Sequence, residues 1–282
     1  MILIRLSKRF LSSILILLLL ANFSYCHVGE HDLIILLSEK IIDDPQNPDL
    51  YFKRASQHRY AGHFEKALTD FNKAKSLESD YHLVDLGMGL VFLDSGWPKT
   101  AEFYLRNFTD ESPDHIVGLS SLAKALAAQN RGKESAALYT RILSLVNKPS
   151  PEFYIEMADS YLIEKNYSQA IKSLDKGIDR LGHITSLDQK ALDIELKDNL
   201  TSEALIRLDN LIEFSPQKER WLYKKGQLLE SQGDYEEAKN SYLKALNYYN
   251  LRPANRRRIP VLLELKKNID QALERIRQKL YN

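Results

Sequence analysis

Histidines are the side chains here best suited to metal or proton chemistry, and four of the seven fall in pairs. His27 and His31 are four residues apart, and His58 and His63 are five apart. If the chain is cut before His27, the new α-amino group and the imidazoles would offer nitrogen donors to a transition metal. No spacing matches a recognised zinc-binding pattern. Metal or small-molecule binding through the N-terminal histidines therefore stands as an alternative, and no metal site or cofactor is assigned. The chain has no phosphate loop, no G-x-S-x-G, no H-E-x-x-H and no dinucleotide fingerprint. Its acids are scattered along helix-forming stretches, where a solvated role is the default. The one cysteine is Cys26. The expectation is that the chain has no catalysis of its own.

The segment "RPANRRRIP", Arg252 to Pro260, is a short basic cluster. It lacks the aromatic interleaving of a single-strand binder. It reads as a solvated connection, and no nucleic-acid partner is expected. Formal net charge is +1 over 282 residues, so no global pull towards nucleic acid or anionic membrane exists.

The first residues differ from the rest. Arg5, Lys8 and Arg9 precede a predominantly apolar run from Phe10 to Ala21, and no acid appears before Glu30. This is the layout of a secretory signal peptide. The run is shorter than the roughly 20 residues of a membrane helix, so stable insertion after cleavage is not expected. Ser24 and Cys26 stand at −3 and −1 of a cut before His27. The alternative, lipidation of Cys26, is disfavoured by Tyr25, because that pathway needs a small residue there. Cleavage removes three cations and the only cysteine, taking the net charge from +1 to −2. An exported chain of this kind is held by its apolar core alone. The expected location is periplasmic or secreted.

These side chains must be positioned by helices. Glycine and proline are sparse, at 11 and 9. The stretch "YKKGQLLESQGDYEEAKNSYLKAL", from Tyr223, sets Gly226, Gly233, Ala238, Tyr242 and Ala245 at intervals that recur upstream. One copy has Ala55, Gly62, Ala67, Phe71 and Ala74; another has Gly89, Gly96, Ala101 and Leu105. A third, degenerate copy has Ala123, Ser135 and Tyr139; a fourth has Ala158, Ala170, Leu174 and Gly177. A fifth, weaker copy has Leu192, Ala204, Leu208 and Leu211. Positions 67, 101, 135, 170, 204 and 238 lie 34 or 35 residues apart. Such a period marks a stack of small units, each too small to bury its apolar face alone. Each unit is expected to be two helices joined by a tight turn, with Gly62, Gly96 and Gly233 supplying positive φ. Gly226 and Ala238 are expected to face each other, letting two helix backbones approach.

On these residues the chain resembles the tetratricopeptide repeat family, over about residues 48 to 251. The resemblance implies an all-α, right-handed solenoid of about six helix-turn-helix units, 48–81, 82–115, 116–149, 150–184, 185–217 and 218–251. Ser135 and Leu192 depart from the family's small residues, so those copies are expected to pack differently. The leader is 1–26. Residues 27–47 form an N-terminal cap whose helix runs from His31 to Asp44. Residues 252–282 form a C-terminal cap, read as one amphipathic helix from Arg256 to Leu280.

The resemblance also implies a concave groove lined by the first helix of each unit, binding a protein or peptide. By register the first units present Phe52, Arg59, Tyr60, Leu86, Leu90 and Leu93, an apolar and aromatic face with one arginine. Family members that grip chaperone C-terminal carboxylates use a Lys/Asn clamp. Phe52, Ser56 and Arg59 stand in those places, so that function is not carried over. An accessory subunit of an envelope enzyme or transporter is a further alternative. The oligomeric state is left open.

Overall fold

The computed structural model describes residues 28–78, 80 and 82–281, and every regular element among them is a helix. The expectations on Cys26 and His27 fall outside the described residues, as does the side chain of His31. The helices divide into two compact units, one ending at Gln129 and one beginning at Asn130. The first unit holds α1 (Val28–Asp43), α2 (Pro48–Tyr60), α3 (Phe64–Leu77), α4 (Leu83–Asp94), α5 (Pro98–Glu111) and α6 (Ile116–Ala127). The second holds α7 (Gly132–Leu145), α8 (Pro151–Ile163), α9 (Tyr167–Leu181), α10 (Thr185–Lys197), α11 (Thr201–Phe214), α12 (Lys218–Gln232), α13 (Tyr235–Leu251), α14 (Ala254–Arg257) and α15 (Pro260–Tyr281). Within each unit, consecutive helices pack in pairs.

Starts and stops follow local chemistry. Pro48, Pro98 and Pro151 open α2, α5 and α8, where a missing N–H costs nothing. Asn47 caps α2 by accepting the Asp49 N–H. The first helix of a hairpin ends with two backbone bonds that reach back over a left-handed residue. In the first hairpin Gly62 N donates to Arg59 O and His63 N to His58 O. The pattern recurs at Gly96/Trp97, Lys165/Asn166, Asn199/Leu200 and Gly233/Asp234. The left-handed residue is glycine at 62, 96 and 233, but Asn130, Lys165 and Asn199 hold φ of 60°, 54° and 59°. The turn thus survives in copies whose sequence has lost its glycine.

The core depends on a size exchange between the two helices of a hairpin. A Cβ on Gly226 would lie 2.5 Å from the Tyr242 ring, and one on Gly89 would lie 2.6 Å from Leu105. Gly226 therefore makes room for Tyr242, one turn on from Ala238. Ala238 is itself fully buried. Leu192 on α10 is accommodated differently: it lies in one buried cluster with Leu208 of α11, whereas the first hairpin helices at Gly89 and Gly226 carry no side chain. Ser135 is also buried, and its hydroxyl bonds Ser160 Oγ at 2.8 Å, so the hydroxyl is not left unsatisfied between α7 and α8.

The two ends are closed differently. Helix α1 sets Leu37 and Ile41 into the first unit, and Ile41 joins the core of Tyr51, Phe71 and Met88. Arg54 ties it down, bonding both oxygens of Asp70 at 2.7 Å and Ser38 Oγ at 3.0 Å. Helix α15 buries Ile269, Ala272 and Ile276 against α12 and α13. That spacing is one stripe of a 3.6-residue period. Each fully buried isoleucine contributes about 1.5–3 kcal/mol of transfer free energy. The expected single helix from Arg256 is in fact two, because Pro260 opens α15 and disfavours helical backbone at Ile259.

Candidate functional site

The face read from the sequence lies on α2 and α4, within the first unit. Arg59, in the last turn of α2, holds its guanidinium 4.3 Å from the centre of the Tyr60 ring. Its Nη1 also bonds Asp94 Oδ2 at 2.6 Å, which links α2 to the end of α4. The Arg59 side chain is only 14% exposed. Tyr60, by contrast, is 65% exposed. The arginine is thus held by the Tyr60 ring and by Asp94, and the tyrosine ring is backed by it and open to water.

The other four residues sit deeper. Phe52 is half-buried, with its ring 5.5 Å from that of Phe71. Leu86 is buried rather than lining an open groove, and Leu90 and Leu93 are half-buried. Helix α4 contains Val84, Leu86, Met88 and Val91, all buried, because it is covered on several sides by its neighbours. A register derived from the repeat cannot separate such a helix from one with a free face. The same unit exposes Trp97, Phe103 and Val117 at 65%, 61% and 50%. Trp97 was legible as an aromatic directly after the turn glycine, a place that normally faces water.

His58, on α2 beside this face, is buried, and its Nδ1 finds no hydrogen-bond partner among the described residues. Its ring centre is 5.7 Å from that of His63. Burial pushes the His58 pKa down, Asp70 opposes this, and Arg54, Lys66 and His63 add to it. The residue fills a packed position as a neutral ring. Among the described residues no group of three or more His, Cys, Asp or Glu could hold a metal ion.

Carboxylates are less scattered than the sequence suggested. In the second unit Arg207 bonds Glu195 at 2.7 Å and Asp175 at 2.8 Å, with Asp188 3.6 Å away. Glu195 and Asp188 are each 2% exposed. Asp188 also meets His183 Nδ1 at 3.1 Å, and the His183 ring stacks on Phe214 at 4.3 Å. Burial alone would lower the Arg207 pKa, but its hydrogen bonds to Glu195 and Asp175 outweigh that and raise it. Glu195 spends both oxygens on the guanidinium, so this cluster joins helices α9, α10 and α11. At the end of the unit, burial would raise the Glu230 pKa. Bonds from Arg275 and Tyr242 prevail and hold it below the ordinary value. Arg275 of α15 thereby occupies the side of α12 that an open array would leave free.

Residues 220–250 match the tetratricopeptide repeat family model. No curated protein matches the sequence. Among solved structures, the C-terminal part of a TPR repeat-containing protein from Cytophaga hutchinsonii is 13% identical at a TM-score of 0.64. It covers 82% of this chain and 95% of that one. A tetratricopeptide repeat protein from Parabacteroides merdae is 17% identical at a TM-score of 0.54, covering 88% and 96%. A Naa15/Naa10 complex with HypK is 14% identical at 0.55, covering 83% of this chain and 36% of that one. At such identities the likeness is one of fold. The matched segment is one tetratricopeptide repeat, and the fold is the all-α arrangement of those solved repeat structures. No described helix is long and apolar enough to cross a membrane.

Proposed function

We propose that this chain is an exported scaffold that binds a protein or peptide on the face of α2 and α4, without catalysis of its own. One observation carries the reading: Tyr60 stands open to water while Arg59, itself held by Asp94, backs its ring. Tyrosine supplies large contact area at low entropic cost, and interface energy concentrates in such anchors. Bracing lowers the cost of ordering the ring further. Phe52, Leu90 and Leu93 are half-buried on the same two helices and extend the proposed face.

The test is cross-linking and co-purification from the cell envelope, with partners identified by mass spectrometry. The Tyr60→Ala variant is compared with the parent chain. It is expected to weaken the partner by about tenfold, or 1.4 kcal/mol, while its melting temperature stays unchanged. Arg59→Ala should lose both partner and stability, because the residue also joins α2 to α4. A partner held equally well by Tyr60→Ala places the binding face elsewhere.

A further inference from the structure

A second surface lies in the other unit and is not used by that reading. A cleft of about 870 Å³ opens between the start of α12 and the junction of α14 with α15. Ile259, Val261 and Leu265 form its apolar wall. Ile259 and Val261 are 39% and 76% exposed, so the wall faces water. An apolar side chain seated against this wall would take that surface out of water.

The rim is cationic. Arg220, Arg252 and Arg256 line the cleft, against Glu219 and Glu264. Arg252 is already committed, since it bonds the buried Glu219 at 2.7 Å and the Pro216 carbonyl at 2.9 Å. Glu264 faces Lys267 at 3.9 Å. Arg220 rests 4.9 Å from the centre of the Trp221 ring, which orients its guanidinium but satisfies none of its charge. Among the described residues neither Arg220 nor Arg256 has a carboxylate partner. Next to Arg256, the Nε of Arg257 is buried without an acceptor. A guanidinium fork is shaped to take a carboxylate through two parallel bonds.

An occupant must therefore bring carboxylates and apolar side chains together. A free inorganic anion would leave the wall uncovered, and a flat lipid surface would not place carboxylates and an apolar side chain together inside a cleft. We propose that this cleft docks an acidic peptide segment, with carboxylates on Arg220 and Arg256 and a leucine-like side chain on the Ile259–Leu265 wall. The site is lined by none of the α2–α4 residues and does not depend on Tyr60.

The probe is a fluorescein-labelled synthetic peptide of glutamates interrupted by two leucines, followed by anisotropy on the full chain. It is expected to bind, to weaken as salt is raised, and to lose about tenfold or more in affinity with the double variant Arg220→Gln, Arg256→Gln. Val261→Asp should weaken it as well. Tyr60→Ala should leave it unchanged, which separates this site from the α2–α4 face. All these positions are exposed, and an unaltered melting temperature verifies that each variant is folded. Equal binding by the double variant overturns the proposal. So does equal binding of a peptide with glutamine for glutamate, or no peptide binding at all. Arginine-dependent binding to phosphatidylglycerol vesicles without peptide binding would assign the cleft to a membrane and overturn it too.

Discussion

At the scale of single residues, burial decides what a side chain can do. His58 has the chemistry of a ligand, yet it sits 8% exposed with an unpartnered Nδ1. Its pKa is lowered mainly by burial, so the unfolded chain takes up a proton more readily than the folded one. The stability it contributes is present above the ordinary value of 6.5. It is lost as pH falls through that value towards the lower folded one. His58→Phe keeps an apolar ring and removes the titration. Melting temperatures taken between about pH 7.5 and pH 5 should fall less in His58→Phe than in the parent. An identical fall would mean that His58 is solvated. Gly226 is decided by contact instead. Tyr242 cannot swing away from an added Cβ, because its hydroxyl is tied to Glu230 at 2.7 Å. Gly226→Ala, normally helpful in a helix, should therefore destabilise by about 1–3 kcal/mol in urea titration. A gain in stability would show that the ring yields.

At the scale of helices and turns, backbone geometry outlasts the residue that best suits it. The left-handed position recurs at 62, 96, 130, 165, 199 and 233, although only three of these are glycine. Asparagine tolerates the conformation through local hydrogen bonding, but a lysine pays a steric cost of about 1–2 kcal/mol there. Lys165 is exposed, so glycine in its place removes strain without removing packing. Lys165→Gly should raise stability by about 0.5–1 kcal/mol after the greater entropy of glycine in the unfolded chain is subtracted. Asn199→Gly should gain less. Denaturant midpoints of the two variants measure the difference, and a destabilised Lys165→Gly would mean the turn is unstrained. These three turns were readable in principle from the 34-residue spacing, but only by looking for a position and not for glycine. The Ser135–Ser160 bond and the common burial of Leu192 and Leu208 were not readable. Each depends on a partner 25 or 16 residues away that the repeat pattern does not name.

At the scale of the whole molecule, we propose that residues 1–26 are a leader removed on export. The charged start, the short apolar run, and Ser24 and Cys26 call for a mature chain beginning at His27. Mass spectrometry of the exported protein should find that N-terminus; an intact Met1 or a lipid on Cys26 would refute it. The sequence by itself determined the helical class, the 34-residue period and the places of the hairpins, because these depend on local spacing and on turn chemistry. Only the tertiary structure decided which face stays open. Leu86 and Tyr60 are both groove positions by register, yet one is buried and the other is 65% exposed. Only tertiary structure gathers Asp175, Asp188 and Glu195 around Arg207, and leaves Arg220 and Arg256 without carboxylates beside an apolar wall. The physical reason is that periodicity records how a helix turns, whereas burial and charge pairing depend on what distant helices bring to each side of it.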